Sequence, residues 1–154
     1  MALYFIIENE DLINQRIKIG ISTDPIKRLK NLQTGNSRRL ALMGWINSNN
    51  DRELERELHQ KYQAQRVIGE WFEINHEIVL DLLKQYSYCS YIALQTNAGE
   101  LIGYDRHGIP EYEDTWEWSS TEYSDFCPEC GSSLGLSYNE NFGGARCLEC
   151  GFTV

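Results

Sequence analysis

Apolar residues in the first part of the chain fall into short runs whose spacing alternates between strand-like and helix-like. The runs at 3–7 and 17–21 are rich in β-branched and aromatic residues, and a polar stretch separates them. This composition predicts two antiparallel strands joined by a loop. A third strand is predicted at 41–46 and a short fourth one at 70–74.

Three helices are predicted between and after these strands. Each begins near side chains that can cap free backbone N–H groups, namely Asp24, the 49–51 segment and Asn75. Pro25 suits the first helical position, and Gly35 suits the end of the first helix. The positions expected to face the core are Ile26, Leu29 and Leu32, then Leu54, Leu58 and Tyr62, then Ile78, Val79, Leu82, Leu83 and Tyr86. The order of elements predicts an α+β fold with a small, mostly antiparallel sheet and flanking helices.

The second half of the chain has a different character. Residues 88–113 alternate and turn, which predicts a further hairpin. The stretch 111–125 contains six acidic and four aromatic residues and no basic one. We therefore predict three parts: a principal domain at 1–86, a hairpin with an acidic linker at 87–125, and a cysteine-rich module at 126–154.

Charge is divided unevenly between these parts. The formal net charge of −9 arises after residue 86, where 2 basic residues accompany 11 acidic ones, whereas the first 86 residues hold 12 of each. Within the neutral part, one segment carries seven cations and Asp24 as its single acid; the cations are Arg16, Lys18, Lys27, Arg28, Lys30, Arg38 and Arg39. Such a segment is typical of a surface that meets phosphate groups, although a solvated helix face has the same composition.

Four cysteines near the end of the sequence form two C-x-x-C pairs. Cys127 and Cys130 make the first pair, Cys147 and Cys150 the second, and 16 residues separate the pairs. This spacing predicts a zinc ribbon with four thiolate ligands. Disulfides or a redox pair are the alternatives. Because four protein ligands leave no open coordination position, the predicted zinc is structural. The surface of the ribbon is a candidate binding site for a protein partner.

The beginning of the sequence has no basic leader. Its apolar run at 3–7 is too short for a signal peptide or a membrane span. We therefore expect a cytoplasmic protein without membrane attachment. A reducing compartment would disfavour disulfides and supports zinc as the partner of the four cysteines.

An ordered set of residues connects the first strands with the first helix. Tyr4 lies on the first predicted strand, a K-I-G triplet at 18–20 on the second, and Arg28 on the helix, ten residues after Lys18. With "ERELHQKY" and "GEWFEI" further on, the set resembles the GIY-YIG nuclease family, and most of all a phage-associated branch with K-I-G in place of Y-I-G. The resemblance covers roughly residues 1–75. It implies metal-dependent hydrolysis of DNA phosphodiester bonds in a bacterial or phage-infected cell.

The resemblance also implies roles for individual residues. Tyr4 matches the tyrosine of the first triplet, which acts as general base or positions water, and Lys18 matches the second tyrosine. Arg28 matches the arginine that stabilises the phosphorane. Glu55 matches the helix glutamate that holds the catalytic Mg²⁺ or Mn²⁺.

Several positions differ from the family pattern or leave alternatives open. Glu70 in "GEWF" competes with Glu55 for the catalytic metal. The family's histidine shortly after the arginine is absent, and His59, four residues after Glu55, is the candidate to replace it. Ala2 and Leu3 stand where the first triplet has glycine and isoleucine.

The sequence therefore predicts a divalent-metal-dependent DNA endonuclease. The side chains expected to bind the DNA backbone are Lys27, Lys30, Arg38 and Arg39. The alternative is a catalytically inactive nucleic-acid-binding or regulatory module that keeps the fold and the basic face. The acidic stretch 111–125 is a candidate to cover that face as a phosphate mimic, with a solvated linker as the other interpretation.

Overall fold

A computed structural model describes most of the chain. The described residues are 1–8, 15–36, 38–93, 101–104, 106–108, 110–112, 126–141 and 143–154. Nearly all of the acidic stretch 111–125 lies outside them, and so does its candidate contact with the basic face. Among the described residues, no helix combines the length and apolar character that crossing a bilayer requires.

A six-stranded sheet forms the centre of the molecule. Its strand order is β4-β5-β2-β1-β3-β6, and each pairing of neighbours is antiparallel. The strands are β1 (Ala2–Glu8), β2 (Arg16–Ser22), β3 (Leu40–Ile46), β4 (Arg66–Ile68), β5 (Trp71–Glu73) and β6 (Ser90–Ile92). The predicted α+β class and mostly antiparallel sheet are confirmed.

Three helices flank the sheet in the described part of the chain. They are α1 (Pro25–Thr34), α2 (Asp51–Lys61) and α3 (His76–Gln85), and a short 3₁₀ turn (Gln63–Gln65) follows α2. The side chains of Asp24, Asn50 and Asn75 cap them as predicted. One expected core position is wrong: Ile26 is 47% exposed, while Leu29 carries the buried contact of α1.

Each face of the sheet has its own apolar cluster. The larger cluster joins Leu3, Phe5, Ile17 and Ile19 of the central strands to α2 and α3. The smaller cluster lies on the side of α1 and comprises Tyr4, Ile6, Leu29, Leu40 and Leu42. Because strand residues alternate between faces, Tyr4 and Lys18 share the α1 side, whereas the other face packs against the second and third helices.

Two small hairpins follow the main sheet. β7 (Leu101–Tyr104) pairs with β8 (Pro110–Tyr112), and β9 (Ser137–Asn139) pairs with β10 (Gly144–Arg146) within the cysteine-rich part. The main sheet takes its last strand from Ser90–Ile92, beyond the boundary at 86 proposed from the sequence. The division into three parts otherwise stays a prediction.

Candidate functional site

A row of residues across the α1 side of the sheet holds Tyr4 in place. Tyr4 lies on β1 opposite Gly20 of β2 and Trp45 of β3. Its side chain is 1% exposed, and a Cβ added to Gly20 would lie 2.5 Å from the phenolic oxygen. Because the Tyr4 ring crosses this position so closely, the strand needs a residue without a side chain. The packing of Tyr4 thus explains the glycine of the K-I-G triplet.

Arg28 reaches the hydroxyl of Tyr4 from α1. Its Nε lies 3.5 Å from the tyrosine Oη, a long separation for a hydrogen bond, and the residue is exposed. The first turn of α1 is fixed just before it, because the Asp24 carboxylate accepts a hydrogen bond from the backbone N–H of Lys27 at 3.0 Å. Among the described residues, Arg28 has no acidic partner, so its charge is available at the surface.

Lys18 is a buried cation with one acidic partner. Its side chain is 9% exposed, and its Nζ lies 2.7 Å from the Oε2 of Glu70. The ammonium also lies 5.7 Å from the centre of the Trp71 ring, which faces Lys18 across β2 and β5. A buried charge is tolerated when it is paired in this way. The ammonium of Lys18 therefore points to the carboxylate of Glu70.

Glu55 of α2 is half-buried, and the pKa of its carboxyl is raised. Burial of the carboxyl is the largest cause; the negative charge of Glu70 adds to it, and the positive charges of His59 and Lys18 oppose it. Glu55 therefore lies within electrostatic reach of His59, Glu70 and Lys18. Within the described residues Glu55 has no hydrogen bond or ion pair, so its oxygens can accept a hard cation.

His59 is tied to the backbone of β2. Its Nε2 lies 2.8 Å from the carbonyl oxygen of Ile19, which can only accept, so this nitrogen donates the proton. The N–H of Ile19 donates to the carbonyl of Glu70 at 3.1 Å, and β5 extends no further along β2. His59 thus provides a hydrogen-bond donor for the Ile19 carbonyl, which no neighbouring strand pairs with. The centre of its ring lies 5.1 Å from the centre of the Phe72 ring.

The cations predicted to bind DNA occupy two kinds of position. Lys27 and Lys30 are exposed on α1 beside Arg28. Arg38 forms an ion pair with Glu8, with 3.2 Å between its Nε and the Oε1 of the carboxylate. Arg39 also has an interaction partner within the protein. The exposed positive charge next to Arg28 therefore comes mainly from the helix.

The four cysteines converge on one point, as their spacing predicts. Their sulfur atoms all lie within 4.8 Å of one another, with 3.7 Å between Cys127 and Cys150 and 3.8 Å between Cys130 and Cys147. A tetrahedral zinc with bonds of about 2.3 Å requires sulfur separations of about 3.8 Å. No disulfide joins these four described cysteines, and their cluster is consistent with a structural zinc site.

Two neighbours of Lys18 are not predicted from the sequence. The sequence suggests Glu70 only as a rival metal ligand, whereas Glu70 pairs with Lys18, 52 residues away. It suggests no role for Trp71, which lies beside the same ammonium. The signal available was the alternation of K-I-G and E-W-F, because a pairing of these two strands brings lysine next to glutamate and tryptophan.

Comparison with known proteins gives one match. The model of a family described as the T5orf172 domain, a phage-associated domain of the nuclease-like superfamily, matches residues 1–87. This range contains every predicted catalytic residue and the helices that carry them. It ends before β6 and the four cysteines. No curated protein and no solved structure matches the chain.

Proposed function

The chain belongs to the T5orf172 domain family, and from this premise we propose that it is a divalent-metal-dependent DNA endonuclease of the GIY-YIG type. The observation that carries the proposal is the position of Arg28, whose exposed guanidinium rests on the hydroxyl of Tyr4. On the same strand face, Lys18 lies two residues before the glycine that Tyr4 covers. Phosphodiester hydrolysis needs a cation for the developing phosphorane charge and a group that activates water.

Arg28 is the group we assign to the phosphate. A guanidinium donates two parallel hydrogen bonds to phosphate oxygens and stays charged, and Arg28 has a neutral hydroxyl as its protein partner. A phosphate that approaches α1 meets no acidic competitor for this side chain among the described residues. If the phosphate engages Arg28, the Tyr4 hydroxyl can position the attacking water by a hydrogen bond, or, after losing its own proton, accept the water's proton as the phenolate.

Glu55 is the group we assign to the divalent cation. Carboxylate oxygens are the ligands that Mg²⁺ and Mn²⁺ prefer, and Glu55 has no competing hydrogen bond or ion pair in the described residues. Glu70 is the weaker candidate because its carboxylate already neutralises Lys18 at 2.7 Å. A cation at Glu55 would supply positive charge to the phosphate oxygens. We assign His59 a positioning role, since its Nε2 is bound to the backbone.

A nicking assay with two matched variants tests the proposal. Supercoiled plasmid is incubated with the protein and Mg²⁺ or Mn²⁺, and nicked product is followed over time. We expect Glu55→Gln to lower the nicking rate by about 100-fold or more while DNA binding persists. The control is Glu57→Gln on the same helix. Because the Glu57 side chain is exposed, this variant should nick plasmid at the wild-type rate. Equal rates for Glu55→Gln and the wild type would refute the assignment.

A DNA-binding module without turnover is the second candidate. The observation in its favour is the burial of Tyr4, whose hydroxyl is covered by Arg28 and whose side chain is 1% exposed. Such a protein would shift DNA in a gel and leave the plasmid intact with either metal. The nicking assay therefore separates the two candidates directly.

A further inference from the structure

The outer edge of β6 meets the first cysteine loop. β6 pairs with β3 on its inner side, and on its outer side the N–H of Ile92 donates to the carbonyl of Gly131 at 2.8 Å. The N–H of Ser133 donates to the carbonyl of Ser90 at 3.1 Å, and Tyr91 faces Ser132 in an antiparallel bridge. The loop thus continues the sheet for one residue pair beyond its last strand.

Side chains also stabilise the contact between β6 and the first cysteine loop. The Ser90 hydroxyl donates to the carbonyl of Leu83 at 2.5 Å and shares a hydrogen bond with the Ser133 hydroxyl at 2.7 Å, and both serines are buried. Phe126, just before the first cysteine, is 3% exposed and belongs to the larger apolar cluster of the main sheet. The contact therefore includes core packing as well as edge hydrogen bonds.

The docked loop is the one that carries two of the cysteines. The N–H of Gly131 donates to the carbonyl of Cys127 at 2.9 Å, and the N–H of Cys127 donates to the carbonyl of Ser132 at 3.0 Å. Gly131 has a φ of 76°, which favours glycine at the turn. The atoms that meet β6 are therefore in the same tight turn as the Cys127 and Cys130 thiols.

The second cysteine loop reaches the same edge. Glu149, between Cys147 and Cys150, accepts a hydrogen bond from the Tyr91 hydroxyl, and its other oxygen accepts one from the Ser132 hydroxyl at 3.1 Å. Tyr91 in turn stacks on Trp45, with 5.6 Å between ring centres. Since Trp45 lies opposite Tyr4, the contact continues across the sheet to the candidate site.

We propose that the edge of β6 is a docking surface for the metal-bound form of the cysteine module, so that zinc binding and the stability of the main domain are coupled. Four thiolates on one ion fix the turn that presents Gly131 and Ser133 to β6. Without the ion the turn loses its cross-link, and the edge strand is left with unpaired backbone groups. The coupling does not depend on the proposed nuclease activity.

Hydrogen exchange on the full chain tests the coupling. Deuterium uptake is compared for the zinc-bound protein and for the protein after zinc removal with a chelator selective over Mg²⁺. We expect faster uptake in β6 and at the end of α3, and a single melting transition that falls by about 10 °C. Unchanged uptake at 83–93, or a separate transition for the cysteine module alone, would overturn the proposal.

A variant on the sheet side gives an independent test. Coupling is reciprocal, so weakening the docking surface must weaken zinc binding. The variant Ser90→Ala loses the buried hydrogen bonds of Ser90, and we expect its affinity for zinc to be about 5-fold lower. Competition with a zinc-binding dye measures this affinity. The control is Ser87→Ala, because Ser87 has no hydrogen bond to the cysteine module among the described residues. Equal affinities for the two variants would refute the coupling.

Discussion

Replacing Gly20 by alanine perturbs Tyr4 without touching its chemistry. The added Cβ would lie 2.5 Å from the phenolic oxygen, 2.7 Å from Cζ and 3.2 Å from Cε1. Contact distances between carbon atoms are about 3.5–4.0 Å, so the ring must move by about 1 Å. Tyr4 is 1% exposed, so its ring is packed against other residues and displacing it disturbs them. Overpacking of this kind costs about 1–3 kcal/mol, or roughly 5 °C in melting temperature for a chain of this length.

The functional effect should exceed the effect on stability. A shift of about 1 Å removes the Tyr4 hydroxyl from its contact with Arg28, and misplacement of a catalytic group by that distance costs about 100-fold in rate. We expect Gly20→Ala to fold, to bind DNA as the wild type does, and to nick plasmid about 100-fold more slowly. The measurements are thermal unfolding, a gel shift and the nicking assay on the same preparations.

A second glycine provides the matched control. Gly35 caps the end of α1 with a φ of −98°, and a Cβ there would meet no atom within 4 Å. Gly35→Ala should therefore change the free energy of unfolding by no more than about 0.5 kcal/mol and leave nicking unchanged. If Gly20→Ala matched Gly35→Ala in both stability and nicking rate, the Tyr4 ring would not require a glycine at position 20.

Three further changes test other parts of the structure. Glu70→Gln removes a negative charge that raises the pKa of Glu55, so that pKa should fall and Mn²⁺ binding should persist to lower pH. Titration of Mn²⁺ binding against pH measures this change, and a higher pH midpoint for Mn²⁺ binding in the variant would contradict it. Lys30→Ala should make the salt dependence of DNA binding less steep by about one unit in log–log slope, and an unchanged slope would exclude a phosphate contact. Phe126→Ala should destabilise the protein by about 3–5 kcal/mol in chemical denaturation, against less than about 0.5 kcal/mol for Tyr138→Ala, which is 70% exposed; equal values would exclude a core role for Phe126.

Local signals account for the elements that the sequence predicts well. The caps at Asp24, Asn50 and Asn75 depend on a side chain and the backbone within a few residues, so neighbouring sequence contains the information. The cysteine cluster is also local, since each C-x-x-C pair forms one turn. Ile26 is not predicted correctly, because spacing identifies an apolar stripe but does not show which of its members the fold covers.

Contacts between distant segments account for what the sequence does not predict. Lys18 and Glu70 meet only because β5 pairs with β2, and nothing near Lys18 specifies that partner. The same holds for Ser90 and Ser133, whose hydroxyls meet across 43 residues of sequence. Lys18, Ser90 and Ser133 are buried polar groups, and the cost of their desolvation is offset by a partner from another segment that only the fold brings near.

The candidate site also changes the meaning of the basic segment. Counting charges from 16 to 39 suggests one broad positive surface, yet Lys18 and Arg38 are paired with Glu70 and Glu8, both outside that segment. Neutralised cations attract a polyanion weakly, so the field toward DNA arises mainly from the exposed side of α1. That helix also carries Arg28. In the proposed nuclease, the cations expected to attract the DNA backbone and the guanidinium assigned to the scissile phosphate therefore share one helix. A phosphate bound along α1 would then lie beside Tyr4 without a separate positioning step.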